Sequence, residues 1–394
     1  MKRVTMTTTR RATLALPFLA AGAAATGAAR AQTASPSPWR PSRPVRIVVP
    51  AAPAGTADMM ARYLAQYLQQ AWEQPCVVEN RPGAGGTIGT MEVVRSAPDG
   101  HTILSGNIGP QAIAYSLFRN LPYRPDSLIP VAGTVRGPNV LVVHPSVPAN
   151  TLPELVAYLK RRPGELSYGS PGIGQSPHLT GVWFNQLTGT EAIHVPFRGA
   201  GPAAIELVAG NIHYMWDNLT SGIQQIRAGR VRALAVSSAE RNAQLPDVPA
   251  ARETMPELAN FEVNTWFGMF LPAGTPRPIV DALNAAMREH DRSEAMKRRL
   301  AEMGGVSLWG TPEQFAAFVR NEIEKWGAVI RREGRIETIR LEDPFTRLVF
   351  DSVPEGLVGG TTLFLKVNSR TGGTRPVGLS YLANAISWQA NYVG

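Results

Sequence analysis

Short apolar, β-branched runs alternate along this chain with segments whose apolar residues recur at helical spacing, and nothing else restricts the fold as much. Repeated strand–helix–strand units place successive strands parallel, with the helices covering the faces of one sheet. Val45-Arg46-Ile47-Val48-Val49 is such a run, stopped by Pro50, which has no N–H to give to a ladder. Met59, Met60, Tyr63, Leu64, Tyr67 and Leu68 then follow the spacing of an amphipathic helix. Further strands are predicted at Cys76–Glu79, Thr102–Ser105, Val140–His144, Leu166–Gly169, Ile193–Val195, Ile212–Trp216 and Val231–Val236. The fold class is α/β. With 394 residues and about 150 per domain, two domains and accessory pieces are expected.

Helix starts are well marked. Thr151-Leu152-Pro153-Glu154 reads as a capping box, and Thr311-Pro312-Glu313-Gln314 repeats its logic with Pro in the first turn. Thr275-Pro276 opens another helix, with Ile279, Val280, Leu283 and Met287 on one face. At the start of the chain, the basic segment Met1 to Arg11 precedes the small-residue apolar stretch Ala12 to Ala28. Ala29-Arg30-Ala31 then offers a cleavage site, so residues 1–31 read as an export signal to the periplasm. Thr9-Arg10-Arg11-Ala12-Thr13-Leu14 gives that signal a twin-arginine look. The apolar stretch is too short and weak to span a membrane, so the product is not expected to be membrane-embedded. Residues 32–43, rich in Pro and Ser, read as a linker. The helix rhythm stops near Glu342, and 343–394 form an atypical C-terminal extension of unknown role.

Charge excludes one class of function. The formal net charge is +9, but Lys2, Arg3, Arg10, Arg11 and Arg30 place five of those charges in the signal. The rest is dispersed, with Lys160-Arg161-Arg162 as the densest internal run, so nucleic acid is not an expected partner. His101, His144, His178, His194, His213 and His290 show no short ligand spacing with one another or with Cys76, so no metal site is expected. Cys76, alone, reads as a packing residue of its strand. No cofactor is expected either: Asn80-Arg81-Pro82-Gly83-Ala84-Gly85-Gly86 lacks the dinucleotide glycine spacing and is not the first βα turn.

The candidate chemistry lies in strand-to-helix loops. Pro50, Ala52, Ala54, Gly55, Thr56 and Asp58 belong to a small-residue loop whose backbone amides can approach a ligand at a helix N-terminus, where an anion is favoured. Thr56 and Asp58 could equally serve only as helix caps. Gly106 and Asn107 follow the third predicted strand. Ser170, Gly174, Ser176 and His178 stand in a second loop dense in donors. Arg198 and Gly199 lie in a third, where the guanidinium suits a carboxylate. Asp217 and Asn218 end a strand as polar groups of a crevice wall, and Trp266-Phe267 supply either cleft lining or core. The rival reading is a periplasmic hydrolase using Ser176 and His178, although no G-x-S-x-G elbow surrounds that serine.

At these loops the chain resembles the Bug family of extracytoplasmic solute receptors, the binding components of tripartite tricarboxylate transporters. The likeness runs over about 41–342. It is carried by Pro44-Val45-Arg46-Ile47-Val48-Val49-Pro50, Val78-Glu79-Asn80-Arg81-Pro82-Gly83-Ala84-Gly85-Gly86 and Ala97-Pro98-Asp99-Gly100. Ser176-Pro177-His178-Leu179, His194-Val195-Pro196-Phe197, Asp217-Asn218-Leu219 and Leu234-Ala235-Val236-Ser237 add to it, as do Leu245-Pro246-Asp247-Val248-Pro249 and Leu271-Pro272-Ala273-Gly274-Thr275-Pro276. The resemblance implies two doubly wound lobes of periplasmic-binding-protein type, 44–141 plus 262–342 and 142–261, with a ligand cleft between them. It implies a small organic acid ligand, one carboxylate being held by backbone amides and waters along Pro50 to Asp58, opposite Ser170 to His178 and Arg198 to Gly201. It further implies no enzymatic activity, closure of the lobes on the ligand, and partners among membrane transporter subunits or a sensor kinase. The chain departs from the family at Ala54-Gly55, where Gly-Gly is usual, and in its tail.

Overall fold

The structure, a computed structural model, describes residues 39–332 and two short strands beyond them, Thr338–Ile339 and Arg347–Leu348, which pair antiparallel. The export signal, the linker up to residue 38 and, apart from 347–348, the C-terminal extension lie outside the described residues.

In the first lobe, strands β1 (Val45–Val49), β2 (Cys76–Asn80) and β3 (Thr102–Asn107) alternate with helices α1 (Thr56–Trp72) and α2 (Thr87–Val94). A π-helical turn, Gly109–Ile113, runs into the short α3 (Ala114–Leu117). The 16-residue strand β4 (Leu128–Val143) then leads to the second lobe. There α4 (Leu152–Arg161), β5 (Ser167–Ser170), α5 (Ser176–Thr188), β6 (Ile193–Pro196), α6 (Ala200–Val208), β7 (Tyr214–Asn218), α7 (Leu219–Arg227) and β8 (Arg232–Val236) follow. The chain returns through β9 (Asn264–Pro272) to α8 (Arg277–Arg292), α9 (Glu294–Glu302), β10 (Val306–Ser307) and α10 (Pro312–Arg332).

Both lobes are wound the same way. In the first, β1 lies parallel to β2 and β3, and β9 joins antiparallel to β3 and then to β4. In the second, β5 lies parallel to β6 and β7, and β4 joins antiparallel to β7 and then to β8. Each lobe thus receives one antiparallel strand that arrives from the other. β4 pairs with β9 as far as Pro138↔Asn264, and with β7 from Asn139↔Asn218 onward. Ser237 and Val263, on the second crossing, are tied to this point: Ser237 N–H donates to Asn139 O at 2.8 Å and Val263 N–H to Ser237 O at 2.9 Å.

Strand alternation gives each lobe two apolar layers. Ile47 and Val49 pack with Met60, Leu64 and Leu68 of α1, whereas Val48 points through the sheet toward Leu104, Phe270 and Phe315. Leu141 and Val143 pack on one face of the second lobe, Val140 and Val142 on the other. Side chains of this size stabilise by roughly 1.5–3 kcal/mol each when fully buried, and the period of two dictates which face receives each one.

The strand predicted at Val140–His144 is only the end of β4, which starts twelve residues earlier. Pro130, Gly133, Gly137 and Pro138 disguise its first part, and the ladder accommodates them with register shifts between Pro130 and Ala132 and between Gly133 and Val135. The two capping boxes also differ. Thr311 and Gln314 exchange both bonds, but Glu154 accepts from Asn150 N–H, one residue before the Thr151 cap.

Candidate functional site

A cavity of about 60 Å³ lies between the lobes, at the C-terminal ends of the parallel strands, where open α/β sheets bind ligands. It is lined by Pro50, Ala51, Gly55, Thr56 and Ala57 from the β1–α1 loop, by Gly83 to Gly86 after β2, and by Asn107 from β3. The opposite wall is Pro171 and Gln175 after β5, Phe197, Arg198 and Ala200 after β6, and Asn218 from β7, with Phe267 of β9 completing it.

Five helices begin at this lining: α1, α2, α5, α6 and α7. None of the five has a side chain hydrogen-bonded as its N-cap. Away from the cavity, Thr151 caps α4, Ser293 caps α9 and Thr311 caps α10, whereas α8 starts at Pro276 without a side-chain cap. A helix N-terminus presents unpaired N–H groups and about half a positive charge. Helix starts without side-chain caps around one small space favour negative charge there. Arg198 is the one ionisable side chain among the lining residues, is exposed, and makes no ion pair with a described residue.

Of the alternative in which Thr56 and Asp58 only cap α1, the part assigned to Thr56 does not hold. Gly55 is the N-cap, and the Thr56 hydroxyl is buried against Thr220 Oγ1 at 2.6 Å, across the cleft. Asp58 does reach back to Ala54 N–H at 3.1 Å and also binds Arg62 and Asn80. Burial raises its pKa, but the hydrogen bonds from Arg62, Ala54 and Asn80 outweigh that and hold the carboxyl below its ordinary range. Its charge is matched by the Arg62 ion pair.

The lobes touch through backbone as well as side chains. Ala52 N–H donates to Arg198 O at 2.9 Å, and Gln175 Nε2 donates to Gly85 O at 2.7 Å. Small residues permit this approach. A Cβ on Gly85 would stand 2.2 Å from Ile173 O, and one on Gly201 would stand 2.4 Å from Pro53 O. Ala54 adopts φ 69°, a left-handed conformation that costs a non-glycine residue roughly 1–2 kcal/mol. Here an alanine occupies backbone space suited to the first glycine of a Gly-Gly pair.

Of the sixteen sequence-predicted site residues, Pro50, Gly55, Thr56, Asn107, Arg198 and Asn218 line the cavity. Ala52, Ala54 and Gly199 sit at the lobe contact beside it, Gly199 with φ 153° against Ala52. Gly106 is buried under Phe270 and Gln111, and Gly174 faces Leu117 and Phe118. Ser170 lies behind the cavity, its hydroxyl 2.7 Å from His194 Nε2. Asp217 is buried with its Oδ1 on Asn218 N–H, and burial pushes its carboxyl up to about 7. Asn218 itself carries a buried side-chain oxygen with no hydrogen-bond partner among the described residues.

Ser176 and His178 are buried and serve the lobe. Asn139 Nδ2 donates to the Ser176 hydroxyl at 2.9 Å, and His178 Nδ1 accepts from Gly174 N–H with its ring against His194. The hydrolase reading is not supported. Trp266 belongs to the core with Phe270 and Phe315, whereas Phe267 reaches the cavity. The Gly83–Gly86 loop is the lining segment that reasoning from sequence left out, although its run of small residues after a strand was the same signal that marked the first loop.

The family described as "Tripartite tricarboxylate transporter family receptor" matches residues 60–335. BugT of Bordetella pertussis is 37% identical over 298 residues, covering 75% of this chain and 90% of that protein. Among solved structures, the periplasmic binding protein BugD is 34% identical with a TM-score of 0.71, covering 74% of this chain and 98% of BugD. MatC from Rhodopseudomonas palustris with bound malate is 35% identical with a TM-score of 0.70, covering 74% and 99%. Among the described residues no helix is long and apolar enough to cross a membrane.

Proposed function

The chain belongs to the tripartite tricarboxylate transporter receptor family, and from that premise we propose that it captures a small organic carboxylate in the periplasm by closing its lobes, without chemical turnover. The observation that carries this reading is the convergence of five side-chain-uncapped helix starts and Arg198 on one small cavity. One carboxylate is held by the amides of the β1–α1 and β2–α2 loops. Arg198 and Asn218 read the far end of the molecule, and Phe197 and Phe267 shape the space between. MatC, a relative of similar fold, binds malate, which places four-carbon dicarboxylates first among the compounds to try.

Ligand contacts on both lobes exist together only when the cleft is shut, so binding shifts the population toward the closed form. That form would be recognised by membrane transporter subunits or a sensor kinase. The amino-terminal segment would direct export, by the twin-arginine route if the paired Arg10 and Arg11 are read as such. Native mass spectrometry of the purified protein, followed by denaturation to release any guest, tests the assignment. A co-purified carboxylic acid supports it. An empty protein that also shows no calorimetric heat with malate, succinate, adipate or tricarboxylates overturns it.

A further inference from the structure

We propose that the first lobe holds a second site, distinct from the cleft, that binds one soft monovalent metal ion of the copper(I) or silver(I) type through Met60, Met287, Met296 and His290. These four residues line one cavity of about 10 Å³, roofed by Leu64, Gly133 and Thr134. They come from three helices: Met60 from α1, Met287 and His290 three apart on α8, and Met296 from α9. Ser293 ends α8 and caps α9, and that turn brings Met296 to the same cavity as Met287.

The three methionines are 1–3% exposed and His290 is 9% exposed. His290 Nε2 is buried with no hydrogen-bond partner among the described residues, and the Thr134 hydroxyl beside the same cavity has none either. A buried nitrogen without a hydrogen-bond partner is costly to leave unmatched, and a soft metal ion would match this one. Three thioether sulfurs have little to offer a water molecule but are good donors to a soft cation. A neutral imidazole keeps one ring nitrogen with a free lone pair, as metal ligation requires. Asp291, also on the lining, accepts from the Ser307 hydroxyl and brings a carboxylate to the same cavity. Among the described residues no group of three His, Cys, Asp or Glu could hold a metal, so harder divalent ions lack a comparable ligand set.

The test uses the mature chain carrying Cys76→Ser, because the free thiol would compete for a soft ion. Silver(I), which has no redox chemistry under these conditions, is titrated and read by native mass spectrometry and by methionine methyl NMR. One ion bound per chain, with the methyls of Met60, Met287 and Met296 shifting together, is the expected result. Met287→Leu/Met296→Leu, a nearly volume-conserving pair, should weaken silver binding at least 100-fold while leaving carboxylate binding and secondary structure unchanged. No bound silver, or binding that shifts none of these three methyls, overturns the proposal. So does unchanged affinity in the double variant. The methyl shifts decide the matter on unaltered methionines if the double variant fails to fold.

Discussion

Gly201→Ala separates closure of the lobes from the stability of the parts that close. Gly201 lies in the first turn of α6 and does not occupy the left-handed region, so its own backbone accepts alanine. Alanine is the better helix former by up to ~1 kcal/mol, and the ligand-free protein should lose nothing in stability from the change. In the shut cleft, however, the added Cβ would lie 2.4 Å from Pro53 O and 3.3 Å from Ala54 Cβ. Favourable carbon contacts start near ~3.5 Å, so the lobes must part by about 1 Å at that point. Overpacking of this kind costs ~1–3 kcal/mol, and the closed form alone bears it. Carboxylate affinity should therefore fall ~5- to 150-fold while the unliganded midpoint in denaturant stays or rises. Calorimetry with the acid that co-purifies and urea melts of the stripped protein provide the two readings. Affinity within twofold of the parent would refute the link between this contact and the binding-competent form. A matching drop in unliganded stability would show instead that α6 had been damaged.

Other consequences follow from single groups. Asp217 is raised from its ordinary 3.8 to about 7 by burial, so its folded pKa exceeds its unfolded one and the protein binds the extra proton when folded. Stability from this group is fully present in acid and is lost as pH rises from about 4 through 7, a difference of ~4 kcal/mol. Asp217→Asn should remove that slope in urea midpoints taken between pH 4 and 8; parallel curves for the two proteins would sink the assignment. Ala54→Gly relieves a left-handed backbone and should raise the unliganded unfolding free energy by ~1 kcal/mol; a loss of stability would contradict the strain. Arg198→Ala should weaken a dicarboxylate about tenfold, since the exposed guanidinium is partly screened. It should weaken a monocarboxylate of similar length much less, and equal losses by calorimetry would place the second carboxylate elsewhere.

What the sequence disclosed and what it concealed divide along physical lines. Where one element buries one face, spacing alone locates it: Val45 to Val49, the α1 stripe and the strands of the second lobe stand within a few residues of where apolar pattern puts them. The elements it concealed are those shared between lobes. β4 crosses from one sheet to the other, and its prolines and glycines would stop an ordinary strand, yet Gly137 and Pro138 mark the place where the ladder changes partners and Pro130 and Gly133 its register shifts. β9 makes the return crossing, and the spacing of its buried Trp266 and Phe267 favours core for at least one of them without saying which faces the cleft, a choice their opposite faces decide. Binding loops pose a different difficulty. Their donors are main-chain amides, which every residue but proline possesses, so the sequence records only the smallness that permits approach. Smallness marks Pro50 to Asp58 and equally marks Gly83 to Gly86, where the glycines also partly resemble a nucleotide motif whose spacing they do not keep. The same reasoning explains why Ser176 and His178 looked catalytic. A hydroxyl and an imidazole two residues apart suggest chemistry, whereas Asn139, far off in the chain, is what engages that hydroxyl and ties α5 to the crossing point of the two lobes.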